Sequence, residues 1–204
     1  MSVRTLSRQY GVALRAMLVA TAVLGVAYTA LVTGVGQLAL DARADGSLVE
    51  VDGRAVGSSL VGQSFTDADG AALPEWFQSR PSAAGGGYDA SASGGSNLGP
   101  ESDDLAAAVA ERRAAIAASD GVDPASVPVD ALTASASGLD PHVSPASARL
   151  QVERVAAARD LPVAEVSALV EQHVQGRDLG YLGEPTVDVL ELNVALAALA
   201  GRVG

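Results

Sequence analysis

The sequence predicts an α+β protein, built as a single N-terminal transmembrane helix followed by one extracytoplasmic α+β domain. Three observations predict it. From Ala16 to Leu40 there are 25 consecutive residues without a formal charge. The three early arginines, Arg4, Arg8 and Arg15, precede that span, and all 24 acidic residues follow it. Beyond Asp41 the chain mixes short alternating stretches and turn residues with helix-period stretches, the pattern of a mixed domain.

The uncharged span is long enough to cross a bilayer. At about 1.5 Å per residue it reaches roughly 37 Å as a helix, more than the roughly 30 Å hydrocarbon core. Arg15 can snorkel to the headgroups and Tyr10 suits the interface. Residues 1–40 carry +3 and residues 41–204 carry −14, which together give the net −11. The positive-inside rule then sets the expected organisation: a cytoplasmic segment 1–15, a transmembrane helix 16–40 and an extracytoplasmic domain 41–204, held at the cell membrane by one pass. Ala42-Arg43-Ala44 also fits the small-x-small pattern of signal cleavage, but a signal's apolar region is usually only about 7–15 residues. Thr21, Gly25, Thr29 and Thr33 recur every four residues. Such a stripe lets another helix approach closely, and it also arises by chance in a segment rich in Ala, Gly and Thr.

Composition excludes several functions. Of the hydrophobic residues 40 are Ala, and aromatics make up 3%, which leaves enough large apolar side chains for one core rather than two. The acidic balance argues against nucleic acid as a partner. The chain has no Cys, so there is neither a disulfide framework nor a thiol nucleophile. Its two histidines, His142 and His173, are not at ligand spacing, so a zinc enzyme is not expected.

Within the outer domain, Ser47–Val51 alternates, Asp52-Gly53 supplies a two-residue turn, and Arg54-Ala55-Val56 returns; this is a β-hairpin pattern. Ser59–Phe65 reads as another short strand, interrupted by Gly62. Pro74–Gln78 reads as one helical turn with Pro at its start, and Trp76 and Phe77 read as core rather than as a ligand platform. Residues 80–100 are turn chemistry. Asp103 or Asp104 can cap a helix to about Ser119. Ser144-Pro145 starts another, to about Arg159. Val163, Val166, Leu169, Val170 and Val174 form one face of a third, and Val187–Leu199 reads as a short strand leading into a helix.

The candidate motifs are few. In Ser93-Gly94-Gly95-Ser96-Asn97-Leu98-Gly99-Pro100 the glycine pair lets backbone N–H groups converge, as in anion-binding nests; a plain structural turn explains it as well. It is not a Walker A loop, since the chain contains no Lys. Ser137, Asp140 and His142 invite a hydrolase reading, but Ser137 lies outside a Gly-x-Ser-x-Gly elbow and the other two are near neighbours. Arg154 and Arg159 could clamp an anion, although helix-surface Arg paired with acids is the usual case. Asp67/Asp69 and Asp103/Asp104 read as turns and caps rather than acid–base dyads. No catalytic residue is expected.

Taken together, the motifs resemble one family over nearly the whole chain, the C subunit of the bacterial Kdp potassium-transporting ATPase. The residues that carry the resemblance are the single N-terminal anchor, Gly57–Phe65, Arg80–Gly85, Tyr88, Ser93–Pro100, Thr133–Pro145, Gln151–Ala158, Gly183-Glu184-Pro185 and Leu190–Asn193. Asp89, Asp188 and Thr186 depart from the family's usual residues. The resemblance implies a non-catalytic accessory subunit needed for assembly, working with the A subunit (the potassium pathway), the B subunit (the P-type ATPase) and the small F subunit. It also implies a catalytic-chaperone role that raises the ATP affinity of B. On that description no cofactor belongs to the chain itself, and ATP shared with B would meet Ser93, Gly94, Gly95, Ser96, Asn97 and Gln151. An extracytoplasmic domain cannot touch cytoplasmic ATP, so charge-based topology and the chaperone description pull apart. The competing classes are an anchored or secreted hydrolase using Ser137, Asp140 and His142, and a free-standing anchored binding module.

Overall fold

The computed structural model describes residues 3–203, in two compact units that divide between Ser47 and Leu48. The expected segment 1–15 therefore begins outside the described residues.

The first unit is one long helical run: α1 (Val3–Ala20), a wider π-helical stretch Thr21–Tyr28, and α2 (Thr29–Ala39), followed by the single turn α3 (Asp41–Ala44). The run Arg4–Ala39 is 36 residues long and contains an 18-residue window apolar enough to cross a membrane, none of which is buried. The helix thus starts well before the uncharged span, because Arg4, Arg8 and Arg15 are themselves good helix formers. Leucine and valine exposed all round a helix require an apolar surrounding. Gln37 donates to the Asp45 carboxylate at 3.0 Å, which ties α3 back to the end of α2. At Gly25 an added Cβ would meet only the Thr21 methyl, at 3.8 Å, so this side of the helix is open to close approach.

The second unit is α+β. Strands β1 (Leu48–Val51) and β2 (Arg54–Ser58) form the expected hairpin. Asp52 and Gly53 both have positive φ (52° and 73°), the type I′ geometry that matches strand twist. The core lies elsewhere. Strands β3 (His142–Val143), β4 (Val174–Gln175) and β5 (Thr186–Asp188) make a three-stranded antiparallel sheet in the order β3-β5-β4. Helices α5 (Pro145–Leu150), α6 (Val152–Arg159), α7 (Val163–Gln172) and α8 (Val189–Val203) contribute the rest. Val166 and Val170, one turn apart on α7, are fully buried with Val187 of β5 and with Val189, Leu192 and Leu196 of α8. A smaller cluster, Ala117, Val127 and Leu132, packs under α4 (Asp103–Asp120).

Five expectations need correcting. Val174 does not continue the face of the third helix: α7 ends at Gln172, and Val174 opens strand β4 beside β5. Ser59–Phe65 is not a strand, since only an isolated bridge joins Ser58 to Val61. A Cβ at Gly62 would strike the Tyr88 ring and the Asp140 carbonyl, and such close backbone approach leaves no room for a ladder. Pro74–Gln78 is a single hydrogen-bonded turn rather than a helical one, closed by the Trp76 N–H on the Leu73 carbonyl at 3.3 Å. At helix α4 the N-cap position is Ser102, whose side chain makes no capping bond, and Asp103 and Asp104 sit in the first turn, where their charges suit the dipole. The helix expected from Pro145 to Arg159 is broken at Gln151 into α5 and α6.

Candidate functional site

The segment from Leu73 to Arg80 crosses α6 and α8 without joining a sheet, so its backbone groups must be paired by side chains. Asn193, 1% exposed on the apolar face of α8, accepts the Phe77 N–H and donates to the Phe77 carbonyl, both at 2.9 Å. Gln151 does the same one residue on: it accepts the Gln78 N–H at 2.6 Å and donates to the Gln78 carbonyl at 3.2 Å. Its amide also donates to the Ser147 carbonyl at 3.3 Å. The contact with Gln78 coincides with the break between α5 and α6 at this residue.

Arg154 completes the tie. Its guanidinium donates to the Pro74 carbonyl (2.6 Å), the Trp76 carbonyl (3.0 Å), the Gln151 amide oxygen (2.7 Å) and the Asp120 carboxylate of α4 (2.5 Å). Both charged side chains are almost fully enclosed, Arg154 at 8% and Asp120 at 4% exposure. Arg159 lies 4.1 Å above the Trp76 ring and donates to the Glu75 carbonyl at 2.6 Å. The two arginines that read as helix-surface residues thus pin an irregular segment.

A second cluster lies at the start of β3. Arg80 donates to the Asp140 carboxylate at 2.8 Å and to the Thr133 carbonyl, while the His142 Nδ1 stands 3.4 Å from the other Asp140 oxygen. His142, with Arg80 behind it, holds the Asp140 carboxyl down to about 2, against the opposing effect of burial. Asp140 in turn raises the His142 imidazole, with Asp188 and Glu191 adding to it. Asp188 itself is pushed up by burial while it accepts the Glu191 N–H at 2.9 Å at the start of α8. Burial pushes the Tyr88 phenol up to about 12, and it donates to the Arg80 carbonyl at 2.8 Å.

These shifts set a pH dependence. The folded Asp140 carboxyl titrates near 2 against an ordinary 3.8, so it contributes about 2 kcal/mol at neutral pH, lost as pH falls from about 4 through 2. The raised His142 acts oppositely: its contribution is complete below its unfolded pKa and is lost as pH rises through its folded one. Asp140→Asn is therefore expected to lower stability at neutral pH and to flatten the acid limb. Urea unfolding at stepped pH from 2 to 7 measures this, and parallel acid limbs in the two proteins would refute it.

The sequence-nominated residues fall in two places. Gly94 donates its N–H to the Ser137 carbonyl at 2.8 Å, and the Ser93 hydroxyl donates to the same oxygen at 3.0 Å. An added Cβ at Gly95 would lie 3.1 Å from the Ala136 carbonyl oxygen. Ser96 and Asn97 are exposed, Asn97 at φ 54°. Gln151 instead lines a cleft of about 410 Å³ between α4, α5, α6 and the Gln78–Pro81 stretch, together with Arg80, Arg112, Asp120 and Arg154. Among the described residues lining that cleft none comes from Ser93–Asn97. Of the hydrolase trio, Asp140 and His142 meet, whereas the Ser137 hydroxyl accepts the Leu139 N–H and faces Ser135 at 3.3 Å. Sequence reading missed Asp120, Gln78 and Asn193. Asn193 had a usable signal, a polar residue on an otherwise apolar helical face.

The comparisons with known proteins bear on the whole of this architecture. The family described as KdpC, K+-transporting ATPase, c chain, matches residues 10–198, from within α1 to within α8. The Potassium-transporting ATPase KdpC subunit of Kineococcus radiotolerans is 59% identical over 200 residues, 98% of either chain. The subunit of the same name from Gemmatimonas aurantiaca is 55% identical, covering 92% of this chain and 93% of its own. That of Mycobacterium tuberculosis is 50% identical over 94% of this chain and 99% of its own. With one long apolar helix, an α+β unit behind it and a match that spans both, the chain belongs to the KdpC family of potassium-transporting ATPase subunits.

Proposed function

We propose that this chain is a non-catalytic accessory subunit that anchors and holds together an ATP-driven potassium uptake pump. The observation that carries the reading is the combination of one 36-residue helix with an unburied apolar window long enough to cross a membrane and an acidic unit whose conspicuous polar residues are occupied inside the fold. Arg154, Gln151, Asn193 and Arg80 each bond main-chain carbonyls or a neighbouring acid. In this reading the partners are the A subunit with the potassium pathway, the ATP-hydrolysing B subunit and the small F subunit. The N-terminus is cytoplasmic and residues 41–204 are extracytoplasmic, on the strength of the +3 and −14 charge split.

We favour assembly over nucleotide contact as the way it acts. Gln151 spends its amide on Gln78 and Ser147, and the Gly94 N–H is taken by Ser137. The opposing proposal is the chaperone one, in which ATP shared with B is held by Ser93–Asn97 and Gln151. Calorimetric titration of ATP into the full chain separates them: saturable micromolar binding, lost in Gln151→Ala, favours the chaperone arm.

Topology has its own test. A single Cys in place of Ser91, which is exposed, is expected to react with a membrane-impermeant maleimide on intact cells. Labelling only after lysis would place the unit in the cytoplasm and reverse the orientation.

A further inference from the structure

Between β4 and β5 the chain leaves the core and turns back in a short loop. The Asp178 N–H donates to the Leu182 carbonyl and the Leu182 N–H to the Asp178 carbonyl, each at 2.9 Å, which closes a tight tip. Leu179 is 81% exposed, Tyr181 69% and Leu182 48%. Single exposed apolar residues are ordinary, but three within four positions at one tip are a patch. Leu179 also has φ 52°, a left-handed conformation that a leucine adopts only at a cost and that Asn or Gly adopts readily. The tip therefore gives up both solvation and backbone ease, and among the described residues none of the three belongs to either core cluster.

The surroundings indicate what covers it. Arg177 and Glu184 pair across the neck at 2.6 Å, so the apolar tip stands on a polar, internally neutralised base, the arrangement of an interface anchor with its rim. The neck continues into β5, the central strand of the sheet, so the anchor is pre-positioned rather than loose. A bilayer bearing anionic lipids would select basic residues around such a tip, yet residues 41–204 carry −14. The family is one chain of a multi-chain ATPase, which supplies a protein neighbour.

We propose that Leu179, Tyr181 and Leu182 form an anchor that seats in an apolar pocket on another subunit of the potassium-transporting ATPase. The inference rests on the assembly reading above and names the surface through which assembly works.

The experiment uses the whole pump in native membranes. A photo-reactive benzoylphenylalanine at position 181 is expected to cross-link to a second pump subunit. In parallel, Leu179→Asp/Tyr181→Asp is expected to reduce retention of the chain on the detergent-purified pump at least tenfold, while the thermal unfolding of the full chain alone is unchanged. Leu179→Asn, which relieves the backbone, should weaken retention in the same direction while raising the chain's own stability. Cross-links to lipid, to a second copy of this chain, or to nothing would overturn the anchor, as would undiminished retention of the Asp variant. If the unsubstituted chain itself fails to co-purify with the pump, the assembly reading falls; if it co-purifies and the variants do too, only the anchor falls.

Discussion

Replacing Arg154 by Met should lower the stability of the α+β unit by about 3–5 kcal/mol, because one partner of a buried ion pair is removed and the other stays. Asp120, at 4% exposure, would be left enclosed without the guanidinium that faces it. The Pro74 and Trp76 carbonyls would lose their donor. A domain of this kind is stable by only about 5–15 kcal/mol, so roughly a fifth or more of the total is at stake. Urea unfolding of the full chain in detergent, followed by the emission of its single tryptophan, gives the number. The double variant Arg154→Met/Asp120→Leu should recover most of the loss, since an apolar pair of similar volume is often no worse than a buried ion pair. An unchanged midpoint in the single variant, or a double variant as weak as the single, would mean the pair is not holding the Leu73–Arg80 segment.

That clamp also shows where sequence reading succeeds and where it stops. The hairpin, α7 and the β5–α8 unit were legible because each rests on a local signal: Asp52-Gly53, the Val163–Val170 face, and Val187–Leu199. Strands β3 and β4 are two residues each, too short for any period, and exist only because β5 lies between them. The break at Gln151 was invisible for a related reason. Its neighbours continue a helical pattern, and what interrupts them is the Gln78 backbone, 73 residues away in sequence. The turn at Ser93–Gly95 could be read from its glycines, but not its partner, since Ser137 lies 44 residues on. Arg154 failed differently: it reads as a helix-surface arginine paired with acids in solvent, and nothing nearby in sequence announces the enclosed Asp120, 34 residues away.

The largest steric effect should come at Gly138, where three stretches of chain meet. Its φ is +66°, and an added Cβ would lie 2.6 Å from the Gly94 carbonyl oxygen, 2.7 Å from the Ala84 nitrogen and 2.8 Å from the Ala84 Cβ. All but the last of these neighbours are backbone, which cannot swing aside as a side chain does. The glycine is held there from both sides, accepting from the Ser82 hydroxyl at 2.6 Å and donating to the Ser135 hydroxyl at 2.9 Å. Gly138→Ala should therefore combine the left-handed penalty of about 1–2 kcal/mol with an overpacking penalty of about 1–3 kcal/mol. Two other glycines separate those contributions. Gly121 has φ +67° with nothing within 4 Å, and Gly86 has open space and no positive φ, so Gly121→Ala should cost only the backbone part and Gly86→Ala next to nothing. The expected order of destabilisation is Gly86, then Gly121, then Gly138. The Gly138 change should in addition free the Ser93–Gly95 turn, because the Gly94 N–H is bonded to Ser137 next door. Amide exchange at Gly94 should then accelerate more than global unfolding explains. If Gly138→Ala costs no more than Gly121→Ala and leaves Gly94 as protected as before, the turn is held by something other than its seat on Ser135–Gly138.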